Sequence, residues 1–182
     1  MAEGHHPVRR AGQATLPDGA IVTWTVAEGA KGRRWREVVV RGGAIVHSLL
    51  LETFPDRRFA HLELATPAGL LTLHPEGDGT LHGNAVTGEG VRHVRGLPWS
   101  DRAVVLVVGS SVAAAAAAHC LAAADPGAEV DRVRIGPDLD LDRRPERVAA
   151  LSVAIDRDGL PRLPGGRTWP LEDELPDPSR PV

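Results

Sequence analysis

The chain has 182 residues, of which 42% are hydrophobic and 25% are charged, and its formal net charge is −3. This length and composition are typical of one globular domain with its own hydrophobic core. The weakly negative charge argues against a protein that binds nucleic acid or an anionic membrane surface through a basic patch.

The single cysteine, Cys120, cannot form an internal disulfide and indicates a reducing, cytoplasmic location. The first ten residues, MAEGHHPVRR, lack the apolar segment of a secretory signal peptide. The apolar run Val104–Cys120 is divided by Gly109-Ser110-Ser111 into two pieces, each too short to span a bilayer. Lys31 is the only lysine, and so arginine-rich a composition is typical of a high-GC genome.

Short extended segments separated by glycine and proline turns dominate the first half of the chain. Residues 1–13 are polar and show no periodicity, and we predict a flexible leader there. After it we predict strands at Ala20–Ala27, Arg34–Arg41, Ala44–Glu52, Arg58–Ala65, Gly69–His74, Thr80–Thr87 and Val91–Arg95.

One helix is expected in the second half. Ala103–Val108 is a continuous apolar run that predicts a strand buried on both faces. Ser110 and Ser111 are good N-cap residues for a helix over Val112–Ala124, which Asp125-Pro126-Gly127 would end. Further strands are predicted at Glu129–Ile135, Leu139–Leu141, Val148–Asp156 and Leu160–Leu163.

These elements predict a mainly β fold in a single domain over residues 14–163, followed by a proline-rich tail over 164–182 that Trp169-Pro170-Leu171 would hold to the body. The order of elements favours an antiparallel open barrel, or a strongly curved sheet, with one inserted alanine-rich helix. Strands and helices do not alternate, which argues against a doubly wound parallel sheet. A curved sheet of this size often encloses a pocket.

Common catalytic and cofactor motifs are absent from the sequence. There is no phosphate-binding loop, no dinucleotide fingerprint, no H-E-x-x-H, no G-x-S-x-G and no paired C-x-x-C, so we expect no cofactor. What remains is a set of polar residues that strand parity places on shared faces: His61 with Glu63, Thr72 with His74, His82 with Asn84, and His93 with Arg95.

This histidine stripe has two interpretations. If it lines a cavity, it can orient the polar end of a ligand, and His82 or His93 can move a proton near neutral pH. If the opposite, leucine-bearing face is the core, the stripe is an ordinary solvent-facing surface. Three histidines on neighbouring strands could also hold zinc, but their spacing is loose, and we predict no metal site.

Three tryptophans, Trp24, Trp35 and Trp99, are the large aromatics of the predicted sheet, and they belong either to the core or to a pocket wall. Cys120 follows His119 on the predicted helix, where neighbouring side chains point about 100° apart. We therefore interpret Cys120 as a buried small residue and not as an activated nucleophile.

The order of features resembles a bacterial glycolipid-binding family of antiparallel half-barrels, similar in shape to lipoprotein carriers and lipocalins. The shared features are the strand with Val22-Thr23-Trp24, the leucine strand closed by Gly77-Asp78-Gly79, the apolar strand that runs into Ser110-Ser111, and a closing strand with Asp158-Gly159-Leu160. The family's threonine–asparagine–threonine run is replaced here by Ala113–Ala118. The resemblance implies binding of an apolar or amphipathic small molecule in a concave sheet.

Three functions follow as hypotheses, and the third is a scaffold or dimerising domain that binds no ligand. The first is binding of a small hydrophobic or amphipathic molecule in a concave barrel pocket, with Trp24, Trp35, His61, Glu63, Thr72, His74, Asn84, Arg95 and Trp99 as ligand contacts. The second is a cofactor-independent cyclase or isomerase for a polyketide-like substrate, with His82 and His93 as catalytic residues. Exposed strand edges make a homodimer a further expectation.

Overall fold

The computed structural model describes residues 8–148, 155–156, 159–163 and 165–171. Within these ranges the chain forms twelve strands and one helix. In chain order they are β1 (Arg9–Thr15), β2 (Ile21–Gly29), β3 (Gly32–Arg41), β4 (Ala44–Thr53), β5 (Phe59–Thr66), β6 (Gly69–Pro75), β7 (Thr80–Thr87), β8 (Gly90–Pro98), β9 (Val104–Val107), α1 (Ser111–Cys120), β10 (Glu129–Ile135), β11 (Leu141–Arg147) and β12 (Arg167–Pro170).

Nine strands form one antiparallel sheet in the order β12-β1-β2-β3-β4-β5-β6-β7-β8. Strands β1 to β8 form a meander in which each strand pairs with the next. In the β3–β4 hairpin, Gly42 and Gly43 have φ values of 56° and 81°, as a two-residue hairpin turn requires. The sheet ends at β12 and β8 without closing into a barrel, which confirms the predicted mainly β, open antiparallel fold with one small helix.

A second, three-stranded sheet has the order β11-β10-β9. Its β9 and β10 are parallel, and α1 connects them, so the chain contains one β–α–β unit that the sequence did not reveal. Ala103 to Val105 and Val107 are buried, because α1 packs on β9. Leu106 is half-buried and Val108 is 42% exposed, so the predicted burial on both faces is confirmed for only part of the run.

The helix begins as predicted and ends earlier. The Ser110 hydroxyl accepts a hydrogen bond from the Ala113 backbone N–H at 2.9 Å, which makes Ser110 the N-cap. The helix ends at Cys120 and not at the predicted Ala124. Beyond Cys120, the Ala122 N–H donates to the carbonyl of His119, three residues back, where an α-helix uses the carbonyl four residues back. The alanine side chains let α1 lie close to β3 and β4.

The core lies between the inner face of the large sheet, α1 and the small sheet. Alternate residues of the large sheet point into it, as period-two patterning requires. Its largest side chains include two tryptophans and a block of leucines from neighbouring strands: Trp24, Trp35, Leu49, Leu51, Leu62, Leu64, Leu71, Leu73 and Leu81. The interior is therefore filled with side chains where the sequence led us to expect a hollow.

Residues 9–13 of the predicted flexible leader form most of β1, and that prediction was wrong for them. β1 pairs with β2 on one side and with β12 on the other. Its alternation is hidden because small residues face the core, and Gly12 lies against the Trp24 indole, where a Cβ would overlap the ring. Residues 1–7 lie outside the described ranges.

The proline-rich tail also supplies a strand. Trp169 pairs with Ala11, so the segment Trp169-Pro170-Leu171 is held to the body as expected, while residues 172–182 lie outside the described ranges. Most of the predicted strand Val148–Asp156 also lies outside them. Its end is seen as a bridge between Ile155 and Pro161.

Candidate functional site

The histidine stripe forms a continuous surface on the outer face of the large sheet. Glu63 lies opposite Thr72, Thr72 opposite Asn84, and Asn84 opposite His93, so four strands contribute to one row. His74 and His82 face each other in the next row. The register thus brings these residues together as strand parity predicts. The face that carries them points away from α1, because the alternate residues on the same strands are the buried leucines.

The stripe residues bond to one another instead of lining a deep cavity. His61 Nε2 lies 3.1 Å from Glu63 Oε1, and His93 Nδ1 lies 2.7 Å from Asn84 Oδ1. His61, Thr72, His74 and His82 are half-buried, and Glu63, Asn84, His93 and Arg95 are exposed. A depression of about 250 Å³ on this face reaches Glu63 and none of the histidines. This arrangement corresponds to the solvent-facing interpretation of the stripe.

The three predicted tryptophan contacts occupy different environments. Trp24 and Trp35 are buried in the core, with 2% and 0% of their surfaces exposed. The Trp35 indole N–H is buried and has no hydrogen-bond partner among the described residues. Trp99 is different, because it lies at the wall of a surface cleft and remains 9% exposed.

We call this cavity the aromatic cleft, and it has a volume of about 600 Å³. Its apolar wall consists of Phe54, Phe59, Trp99 and Pro75. The rings of Phe59 and Trp99 pack in a tilted pair with centroids 5.2 Å apart. Phe54 is 42% exposed and has the Arg58 guanidinium over its ring, so part of the ring is open to a ligand. The rim is polar and contains Arg58, Glu76 and Asp101.

Two turns and the end of β8 position the aromatic side chains. Phe54 and Phe59 flank the β4–β5 turn, which is closed by hydrogen bonds from Phe54 N to Arg58 O and from Arg57 N to Phe54 O. Trp99 follows β8, and its N–H donates to the Gly79 carbonyl in the β6–β7 turn at 2.8 Å. The cleft therefore depends on backbone contacts between turns that are far apart in sequence.

The rim is held by ion pairs around Arg58. Its guanidinium lies 2.7 Å from Asp56 and 3.0 Å from Asp101, and it also lies over the Phe54 ring. These hydrogen bonds, first to Asp101 and then to Asp56, raise the pKa of Arg58. The Arg58 backbone N–H and the guanidinium together lower the pKa of the Asp56 carboxyl. The rim of the aromatic cleft thus keeps fixed charges of both signs near neutral pH.

A second cavity, which we call the basic cavity, also reaches Phe54. Its volume is about 570 Å³, and Phe54 is part of the wall of both cavities. It is bounded by the β2–β3 hairpin and the end of β4. Four basic and two acidic side chains line it: Arg9, Lys31, Arg33, Arg34, Glu28 and Glu52.

A buried polar cluster under α1 was missed by the sequence reasoning. Glu37 and His47 are 1% and 4% exposed, and Glu37 Oε1 lies 2.7 Å from His47 Nε2. The other oxygen, Glu37 Oε2, accepts a hydrogen bond from the Val112 backbone N–H in the first turn of α1. The sequence did contain a sign that Glu37 is buried, because Glu37 alternates with Trp35 and Val39 on the inward face of β3.

The other end of α1 contacts the same sheet through His119. The His119 ring lies 5.7 Å from the Trp35 ring, and the Arg33 guanidinium lies 5.3 Å from the same ring on β3. Burial, assisted by the positive charges of Arg33 and Arg57, lowers the pKa of His119 to about 4. Burial raises the pKa of the Cys120 thiol to about 12, so this sulfur is not a nucleophile at neutral pH.

The described residues contain no group of three or more His, Cys, Asp or Glu side chains placed to bind a metal ion. In the same part of the chain, no helix has the length and apolar character needed to cross a bilayer. No protein-family model, curated protein or solved structure matches this chain. Membership of the glycolipid-binding family therefore stays a prediction.

Proposed function

We propose that this protein binds a small amphipathic molecule in the aromatic cleft. The observation that carries the proposal is the concentration of aromatic rings in one surface cavity of an aromatic-poor chain. The chain has two phenylalanines and four tryptophans, and both phenylalanines and Trp99 line the cleft. Ligand pockets commonly have volumes of about 300–1,000 Å³, and the aromatic cleft falls within this range.

The exposed Phe54 ring strengthens the proposal. A large apolar side chain left 42% exposed beside other aromatic rings forms a surface on which a planar apolar group can stack. Phe59 and Trp99 are held by packing and by the Trp99–Gly79 hydrogen bond, so the wall is preformed before a ligand arrives.

The proposed ligand is of the predicted class, a small amphipathic molecule, but it binds in the aromatic cleft and not inside a barrel. The leucine-filled interior leads us to place the ligand at one end of the sheet, and Trp99 is the predicted contact retained there. A cytoplasmic location is part of the proposal and depends on the single cysteine. The cyclase hypothesis remains a hypothesis from the sequence, since His82 and His93 line none of the cavities described above.

A neutral fluorescent probe tests the proposal directly. Phenylnaphthylamine, which brightens in apolar sites, should bind the wild-type protein with saturation. We expect Phe54→Ala to weaken binding about tenfold, because an aromatic pair contributes about 0.5–1.5 kcal/mol beyond the area it buries and 1.4 kcal/mol is a factor of ten. Phe54 is exposed, so this substitution should leave the unfolding midpoint nearly unchanged.

The matched control is Val91→Ala, which removes another exposed apolar side chain, 57% exposed, from the outer face of β8. Val91→Ala should bind the probe as the wild type does. Equal affinity in all three proteins, or no saturable binding, would rule out the aromatic cleft as the ligand site.

A further inference from the structure

The two cavities that share Phe54 as a wall residue differ in chemistry. The aromatic cleft has an apolar wall and a rim with two acidic residues, Glu76 and Asp101, and one basic residue, Arg58. The basic cavity has two more basic than acidic side chains in its wall. A molecule that occupies both cavities therefore meets apolar surface at one end and positive charge at the other.

The basic residues are held in place by their ion pairs. Arg34 contacts Glu52 Oε1 through both Nε and a terminal nitrogen, at 2.7 and 2.6 Å. Arg33 lies 3.0 Å from Glu28. Lys31 at the hairpin tip is exposed, and no ion pair links it to a carboxylate within the described ranges. The two carboxylates in the cavity wall pair with Arg33 and Arg34, so the charge of Lys31 remains available to an anion.

The shape of the basic cavity depends on a close backbone approach. Gly32 has a φ of 114°, and a Cβ there would overlap the carbonyl of Thr53 at the end of β4. This contact brings the backbone of the hairpin tip against the residue that precedes Phe54. The basic cavity and the aromatic wall are thereby joined through the main chain.

We propose that the ligand of the aromatic cleft carries an anionic group, such as a carboxylate, sulfate or phosphate, which the basic cavity binds while the apolar body stacks on Phe54. This inference rests on the proposed function, since it adds a charge to the same ligand. The opposite orientation is disfavoured because the rim of the aromatic cleft has one more acidic than basic side chain, whereas the basic cavity has two more basic than acidic ones. Lys31 and the Arg34 guanidinium edge are the donors expected to recognise it.

A pair of probes that differ by one charged group tests this inference. Anilinonaphthalene sulfonate adds a sulfonate to the same aromatic skeleton as neutral phenylnaphthylamine. We expect the sulfonate to bind wild type about tenfold tighter than the neutral probe at low ionic strength, and salt to reduce this preference. Lys31→Glu should reduce the preference to about twofold or less and leave the neutral probe's affinity unchanged.

Arg95→Gln is the matched control, because it removes an exposed positive charge on β8 outside both cavities. It should keep the full preference for the sulfonate. If the neutral probe binds through Phe54 and the sulfonate shows no advantage, the anionic group is wrong and the proposed function stands. The same conclusion holds if Lys31→Glu leaves the preference intact. If neither probe responds to Phe54→Ala, both proposals fail.

Discussion

The Glu37 carboxylate shows how one residue can join the helix to the sheet. One of its oxygens contacts the His47 ring on β4, and the other accepts the Val112 N–H of α1. The carboxylate and both of its partners are buried. If the carboxylate were removed, the His47 ring and the Val112 N–H would each lose a hydrogen-bond partner without gaining access to solvent. The pair therefore specifies where α1 sits on the sheet.

Glu37→Ala should lower the free energy of unfolding by about 3 kcal/mol, because it leaves a buried imidazole and a buried N–H unpaired. The matched control is Glu63→Ala, which removes a carboxylate that also contacts a histidine but lies on the exposed outer face. That change should cost less than about 1 kcal/mol. Urea denaturation of the three proteins measures the difference, and equal losses would show that the buried pair is not special.

At the level of elements, α1 is held at its C-terminal end by the half-buried His119. The pKa of His119 is lowered to about 4, against an ordinary value of 6.5, first by burial and then by the charges of Arg33 and Arg57, while Glu28 acts in the opposite sense. The folded state therefore favours the neutral ring. The stability that this provides is complete above pH 6.5 and is lost as the pH falls toward 4, because the unfolded chain takes up the proton first.

We expect the melting temperature of the wild type to fall more steeply between pH 6.5 and 4.5 than that of His119→Gln, by a few degrees. Both proteins contain the same carboxylates, so the difference between their melting temperatures excludes the effect of carboxylate protonation. His93→Gln, on the exposed outer face, should follow the wild type. Parallel curves for wild type and His119→Gln would contradict the assignment.

Strand β7 contains a glycine that the sheet requires. At Gly83 the β7–β8 register shifts, and a Cβ would overlap the carbonyl oxygen of Thr72 on β6. Gly88, in the next turn, has open space around it and does not have a positive φ.

Gly83→Ala should therefore destabilise the protein by about 2–3 kcal/mol, since a backbone oxygen must move. Gly88→Ala should be neutral or stabilising by up to about 1 kcal/mol, through the lower entropy of the unfolded chain. Thermal and urea unfolding of the two variants measure the contrast. A neutral Gly83→Ala would mean that the strands separate there at little cost.

At the scale of the whole molecule, the topology of the meander creates the proposed ligand site. Successive strands run in opposite directions, so every second connection lies at the same end of the sheet. The β2–β3, β4–β5 and β6–β7 turns and the end of β8 meet there, and they supply Lys31, Phe54, Gly79 and Trp99. The open edges β8 and β12 are the basis of the homodimer expectation, which stays a prediction.

Alternation of side chains along each strand was sufficient to predict much of this fold. It located β2 to β8 and the leucine face, because burial of one face imposes a period of two on the sequence. The same reasoning placed the stripe residues on one face of each strand, and the register in the structure then brings Glu63, Thr72, Asn84 and His93 into one row. It failed at β1, where Ala11, Gly12 and Ala14 carry no visible alternation.

The sequence by itself determined the class of fold, the start of the helix and which polar residues share a face of each strand, because each depends on neighbours a few residues apart. Only the tertiary structure decided which face of the sheet α1 covers, and hence that the histidines lie outside and the interior is filled. It also brought Glu37 to Val112 and Phe54 to Trp99. Contacts between distant segments depend on sheet curvature and chain direction, which no local pattern of residues encodes.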